Sequence, residues 1–101
     1  MSKPKINIPK DKIEDFCRRW KIKEFALFGS VLREDFRPDS DVDVLVSFAP
    51  DGGITFDNRV EMLDELAEIF GREVDLVEKG TIRNPFRRHE ILTTKEVVYA
   101  G

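Results

Sequence analysis

Apolar residues recur along the chain in two periods, and the alternation between those periods sets out its elements. After Pro9-Lys10-Asp11, the positions Ile13, Phe16, Cys17 and Trp20 follow the i, i+3, i+4, i+7 spacing of a helix laid on a core. Glu24 to Phe28 is a short apolar run ending at Gly29-Ser30, which reads as a buried strand running into a turn. Ser30 is expected to cap a short helix through Glu34, and Phe36 to Ser40 reads as a loop from its Pro38, Asp39 and Ser40. Asp41 to Phe48 follows as a strand, stopped at Pro50-Asp51-Gly52-Gly53.

The longest helix is expected over Phe56 to Phe70, with Val60, Leu63, Leu66, Ala67 and Phe70 on its apolar face, acids opposite, and Gly71 as its stop. Glu73 to Val77 reads as a third strand and Asn84-Pro85 as the cap and first turn of a helix reaching about Leu92. Glu96 to Tyr99 reads as a last strand. The order α-β-α-β-α-β-α-β predicts an α/β fold, a sheet with helices packed against it. Residues 1–8 and the stretch from Asp51 to Thr55 are the segments expected to be ragged.

Length and composition narrow the class. A chain of 101 residues with 41% hydrophobic content suits one domain spanning 1–101. No apolar run approaches the roughly 20 residues that span a bilayer, and Met1-Ser2-Lys3-Pro4 leads into no apolar signal segment, so a soluble, cytoplasmic protein without a membrane partner is expected. The lone Cys17 lies on the apolar face of the first helix and is expected in the core. A net charge of −3 argues against stable non-specific nucleic-acid binding. The acids concentrate between residues 25 and 78, with basic segments on either side. That distribution suits solvated helix faces, or a cation site flanked by groups that attract phosphate.

The candidate chemistry sits at strand ends. Residues two apart on a strand share a face, so Asp41 and Asp43 present two carboxylates side by side. Crowded carboxylates repel unless a cation shares them, and hard oxygen ligands suit Mg2+ or Mn2+. Asp75 stands within another apolar strand, where a charge is explained if it faces the same cation. At Gly29-Ser30 a strand turns into a helix, which permits close approach to a phosphate. Arg33, one turn on, can add a cation to that cradle. Taken singly, an Asp-x-Asp pair or a Gly-Ser turn is common. Arg33 and Arg37 also read as solvated charges, and Asp75 as an edge residue facing water.

The assembled pattern is more specific: Gly29-Ser30, ten intervening residues, Asp41-Val42-Asp43, a helix, and a strand bearing Asp75. It resembles the nucleotidyltransferase superfamily with the polymerase-β-like fold, which implies a small mixed sheet with helices packed against it, and within that superfamily the minimal nucleotidyltransferase (MNT) group, over nearly all of Phe25 to Tyr99. The resemblance implies that Gly29 and Ser30 hold the triphosphate of ATP and that Asp41 and Asp43 hold two Mg2+ ions. Asp75 would complete the second metal site and act as general base. The family often has Arg directly after Gly-Ser, where this chain has Val31, and Arg33 is the candidate substitute. MNT proteins of this size are similar to the antitoxins of HEPN/MNT pairs, which transfer AMP from ATP to a tyrosine of a helical HEPN ribonuclease toxin and silence it.

A HEPN toxin is therefore the implied partner. Two alternatives are neutralisation by binding without catalysis, and transfer to a small hydroxylated molecule at a homodimer interface. Arg83, Arg87 and Arg88 suit either an acidic partner surface or an exposed helix face. The Arg83 to His89 spacing fits a loose HEPN ribonuclease pattern. HEPN domains are all helical, so it is discounted in a chain with three good strands, and His89 is expected near the core edge without a catalytic role.

Overall fold

Two helices laid on one face of a four-stranded sheet, and a third on the other, give the molecule its core. The computed structural model describes residues 8–29, 41–53 and 55–101. The expected short helix after Ser30 and the loop to Ser40 lie outside the described residues, as do residues 1–7. Ile8 is described, and it packs against the core instead of lying ragged.

Helix α1, Lys10–Arg19, buries Ile13, Phe16 and Cys17, three of the four residues its periodicity predicts; the fourth, Trp20, is the C-cap and packs half-buried against the core. Strands β1, Ile22–Phe28, and β2, Val42–Phe48, form the centre of the sheet. Helix α2 runs Phe56–Phe70, strand β3 Val74–Glu78, helix α3 Pro85–Thr94 and strand β4 Glu96–Ala100, with one 3-10 turn at Lys79–Thr81. The sheet order is β3-β2-β1-β4. Strand β1 is antiparallel to both its neighbours, while β2 and β3 are parallel, so the sheet is mixed, as expected.

The registers fix two faces. Phe25, Leu27, Val42, Val44, Val46 and Leu76 point to the side covered by α1 and α2, where Phe16, Met62 and Leu66 complete the larger core. Ala26, Phe28 and Leu45 point to the other side and pack with Ile91 of α3, flanked by half-buried Val77 and Leu92. Central strands covered on both faces carry nearly continuous apolar runs, as Phe25 to Phe28 and Val44 to Val46 do.

Three expectations need correction. Among the described side chains of α2 the buried ones are Met62 and Leu66, with Leu63, Ile69 and Phe70 packed at the margin, whereas Val60 is 57% exposed. Helix rotation is set by what meets the sheet, and Val60 lies off that line. Asp51, Gly52 and Thr55, expected in a ragged stretch, are tied down: Gly52 N donates to Ala49 O, Lys21 pairs with Asp51, and Thr55 and Asn58 form a capping box that opens α2. His89 is exposed on α3, not at the core edge, and its carbonyl accepts from Thr93.

Candidate active site

Strand β1 ends at Gly29, whose φ of 74° lies in the left-handed region that glycine adopts without steric cost. A Cβ built there would collide with Oδ2 of Asp43. The Asp43 carboxylate therefore lies against the backbone of the turn, in space that only a missing side chain leaves open. Gly29 and Asp43 were read from the sequence as parts of separate motifs, and the antiparallel register Phe28↔Asp43 brings them together.

The parallel pairing of β2 with β3 adds the next carboxylate. Asp43 and Asp75 are register partners, so they stand on the same face of adjacent strands, which run about 4.8 Å apart. That face is the one α3 covers further along, through Leu45 and Val77. Asp43 is half-buried and Asp75 exposed; Asp41, just ahead of β2, is exposed as well. The sequence argument for Asp75 rested on a charge within a buried strand. Strand β3 is an edge strand and Asp75 faces solvent, so what recommends it is its register with Asp43.

Three carboxylates are hard donors of the kind that hold Mg2+. Among the described residues no group of three or more His, Cys, Asp or Glu side chains stands ready-made around a common point. The backbone brings Asp43 beside Asp75 and keeps Asp41 two residues away. The donor set therefore fits a divalent cation by residue type and strand placement, and closing on one requires side-chain rotation. Ser30 and Arg33, the other expected nucleotide ligands, lie outside the described residues.

A cleft of about 380 Å³ opens at the outer edge of β3, between the faces that carry α2 and α3. Asp75 forms part of its wall, with Arg59 from α2, Glu78 from the end of β3 and Arg87 from α3. Arg59 donates to the carbonyl of Leu76 at 2.8 Å, which satisfies an edge-strand acceptor and fixes the guanidinium beside Asp75. Asn84 caps α3 by accepting from Phe86 N and Arg87 N, at 2.9 and 3.2 Å. Arg83, Arg87 and Arg88 are exposed, and the neighbouring Phe86 is 85% exposed. Arg59 and Glu78 escaped the sequence reading. An arginine in an acidic helix looks solvated, and only the packing of α2 beside β3 shows where it points.

No described helix is long and apolar enough to cross a membrane. A family model described as nucleotidyltransferase domain matches residues 10–98. The chain is 36% identical over 73 residues to a candidate protein adenylyltransferase, MJ1379, of Methanocaldococcus jannaschii, covering 72% of this chain and 73% of that one. It is 32% identical over 86 residues to the protein adenylyltransferase MntA of Thermococcus cleftensis, covering 85% and 82%. The fold matches a chain of a toxin–antitoxin crystal structure with AMP-PNP at a TM-score of 0.74 and 23% identity, covering 93% of this chain and 75% of that one. It also matches a chain of the Shewanella oneidensis complex of a tri-AMPylated HEPN toxin with MNT antitoxin. The TM-score there is 0.64 at 22% identity, covering 91% of this chain and 70% of that one.

Proposed function

Because the chain belongs to the nucleotidyltransferase domain family, we propose that it transfers AMP from ATP to a hydroxyl, a tyrosine in the first instance, of a HEPN ribonuclease toxin and thereby acts as its antitoxin. The observation that carries this reading is the convergence of Gly29, Asp43 and Asp75 at one end of the sheet. Relatives named as protein adenylyltransferases support the reaction type, and fold neighbours that pair an MNT antitoxin with a HEPN toxin support the partner.

The roles follow from position. The turn at Gly29 lets the triphosphate approach the backbone, with Ser30 and Arg33 as its further ligands. Asp41, Asp43 and Asp75 would hold Mg2+, which when bound neutralises charge on the triphosphate and on the attacking and leaving oxygens. Asp75, exposed at the sheet edge, would take the proton of an acceptor hydroxyl arriving from solvent. In-line attack on the α-phosphorus then expels pyrophosphate on the Gly29 side.

A second reading, neutralisation by contact, draws on Phe86. A phenylalanine 85% exposed beside three arginines is a typical anchor for a protein partner. The two readings separate in one experiment: intact mass spectrometry of a HEPN toxin, of the kind paired with the MNT antitoxin in the fold neighbour, after incubation with this protein, ATP and Mg2+. Transfer predicts a gain of AMP units with wild type, falling on the order of 10²-fold or more in rate with Asp43→Ala. A stable complex whose toxin is silenced at unchanged mass would replace transfer with contact.

A further inference from the structure

The cleft at the edge of β3 lies on the opposite side of the Asp43–Asp75 pair from Gly29. The strand order places Gly29 after β1, Asp43 on β2, Asp75 on β3 and the cleft beyond it. In an in-line displacement the leaving group and the attacking group occupy opposite sides of the reacting phosphorus. If the triphosphate lies along the Gly29 turn, the cleft is on the acceptor's side.

Its chemistry is unusual for the approach path of a neutral hydroxyl. Two guanidinium groups, Arg59 and Arg87, line it, and among the described residues neither is paired with a carboxylate. Arg59 is braced on Leu76 O, so part of its donor fork is spent in fixing the rest. Planar guanidinium forks suit phosphate oxygens. Glu78, on the same wall, carries the acceptor oxygens that suit sugar hydroxyls. About 380 Å³ falls within the roughly 300–1,000 Å³ of small-ligand clefts. The helix α3 terminus offers no competing anion site, because Asn84 already takes its first amides.

We infer that this cleft is an acceptor subsite for a phosphodiester-linked AMP, so that an acceptor already carrying one AMP is the preferred substrate for the next. The inference rests on the transfer reading above. In the second step a ribose hydroxyl of the attached AMP forms a bond to the α-phosphorus of ATP. The bond from that phosphorus to pyrophosphate breaks, and the hydroxyl proton passes to Asp75. Arg59 and Arg87 hold the phosphodiester of the AMP already attached, and Glu78 accepts from its ribose.

Two measurements test it. Time-resolved intact mass spectrometry of the HEPN acceptor gives the ratio of second to first transfer within one reaction. Arg87→Gln, at an exposed position, is expected to lower that ratio at least about tenfold and to accumulate the singly modified acceptor. Arg59→Gln should do the same. A wild type that stops at one AMP, an unchanged ratio in Arg87→Gln, or an equal fall in both steps with weaker ATP binding would each overturn the assignment; the last would give the cleft to the donor. The second measurement is fluorescence anisotropy, without ATP, of a tyrosine peptide and its adenylylated form. The adenylylated peptide should bind at least tenfold tighter to wild type, with the difference lost in Arg87→Gln, and equal affinities would refute the subsite. A wild type that transfers no AMP would sink the function proposed above, while the peptide titration would still judge the cleft.

Discussion

Gly29 shows how much one residue can decide. Its backbone already lies in the left-handed region, where a Cβ costs roughly 1–2 kcal/mol, and that Cβ would also displace the Asp43 carboxylate. Gly29→Ala is therefore expected to lower the unfolding free energy by at least about 1–2 kcal/mol in denaturant titration and to reduce transfer more than that loss of folded protein accounts for. Glu65 shows a different kind of dependence. It accepts from Arg19 and from Trp20 Nε1, tying α2 to α1, and the Arg19 hydrogen bond holds its carboxyl below the ordinary 4.5 despite partial burial. A carboxyl depressed in the folded state adds stability above its unfolded pKa and loses it as pH falls through the lower folded value. Acid titration of stability should therefore weaken the wild type below about pH 4.5, and Glu65→Gln should flatten that limb. Cys17 adds no such dependence at neutral pH: burial, and then the nearby Glu14, push its thiol up to about 12. Its place in the core was legible because Ile13, Phe16 and Cys17 share one helical stripe.

At the scale of elements, α2 separates what periodicity reveals from what it leaves open. The helix has apolar residues on more than one line, and the sequence alone does not select among them. The sheet selects the line of Met62 and Leu66, both fully buried, and leaves Val60 in solvent. Leu66→Ala should cost about 2–5 kcal/mol by denaturant unfolding, whereas Val60→Ala should stay within about 0.5 kcal/mol. The contrast checks the rotation of the helix directly. The turn before α2 was also misjudged from composition. Glycines and aspartate suggested looseness, but the Lys21–Asp51 pair and the Thr55–Asn58 capping box are contacts that composition does not encode. Boundaries elsewhere came close: Asn84 caps the helix it was expected to cap, and that helix runs a little further, to Thr94.

Across the whole molecule, legibility tracks sequence distance. Gly29, Asp41 and Asp43 stood out as candidates because a fixed short spacing marks them, the alternation of elements announced an α/β sheet with packed helices, and the family resemblance implied that the sheet is mixed. The strand order β3-β2-β1-β4 was not readable, and neither was the cleft, because both depend on pairings between distant segments such as Arg59 with Leu76. A ligand that binds only the folded chain should register globally. With ATP analogue and Mg2+ at about a hundredfold over Kd, stability should rise by about 2.7 kcal/mol, or on the order of 10 °C in melting temperature for a chain this size. Asp43→Ala should abolish the rise, and a wild type with no shift would count against the metal assignment.

Strand β4 closes the sheet by pairing with β1, and the Lys95–Glu24 contact spans 71 residues. During synthesis at about 5–20 residues per second, β1 leaves the ribosome roughly 4–14 s before its second neighbour exists. For the last roughly 1–4 s of that interval, once β3 has also been made, a nascent sheet of β3, β2 and β1 exposes the unpaired edge of its most buried strand, and open edges invite pairing with other chains. Translation therefore leaves the protein a window in which a chaperone, or a neighbouring nascent chain, meets β1 before β4 does.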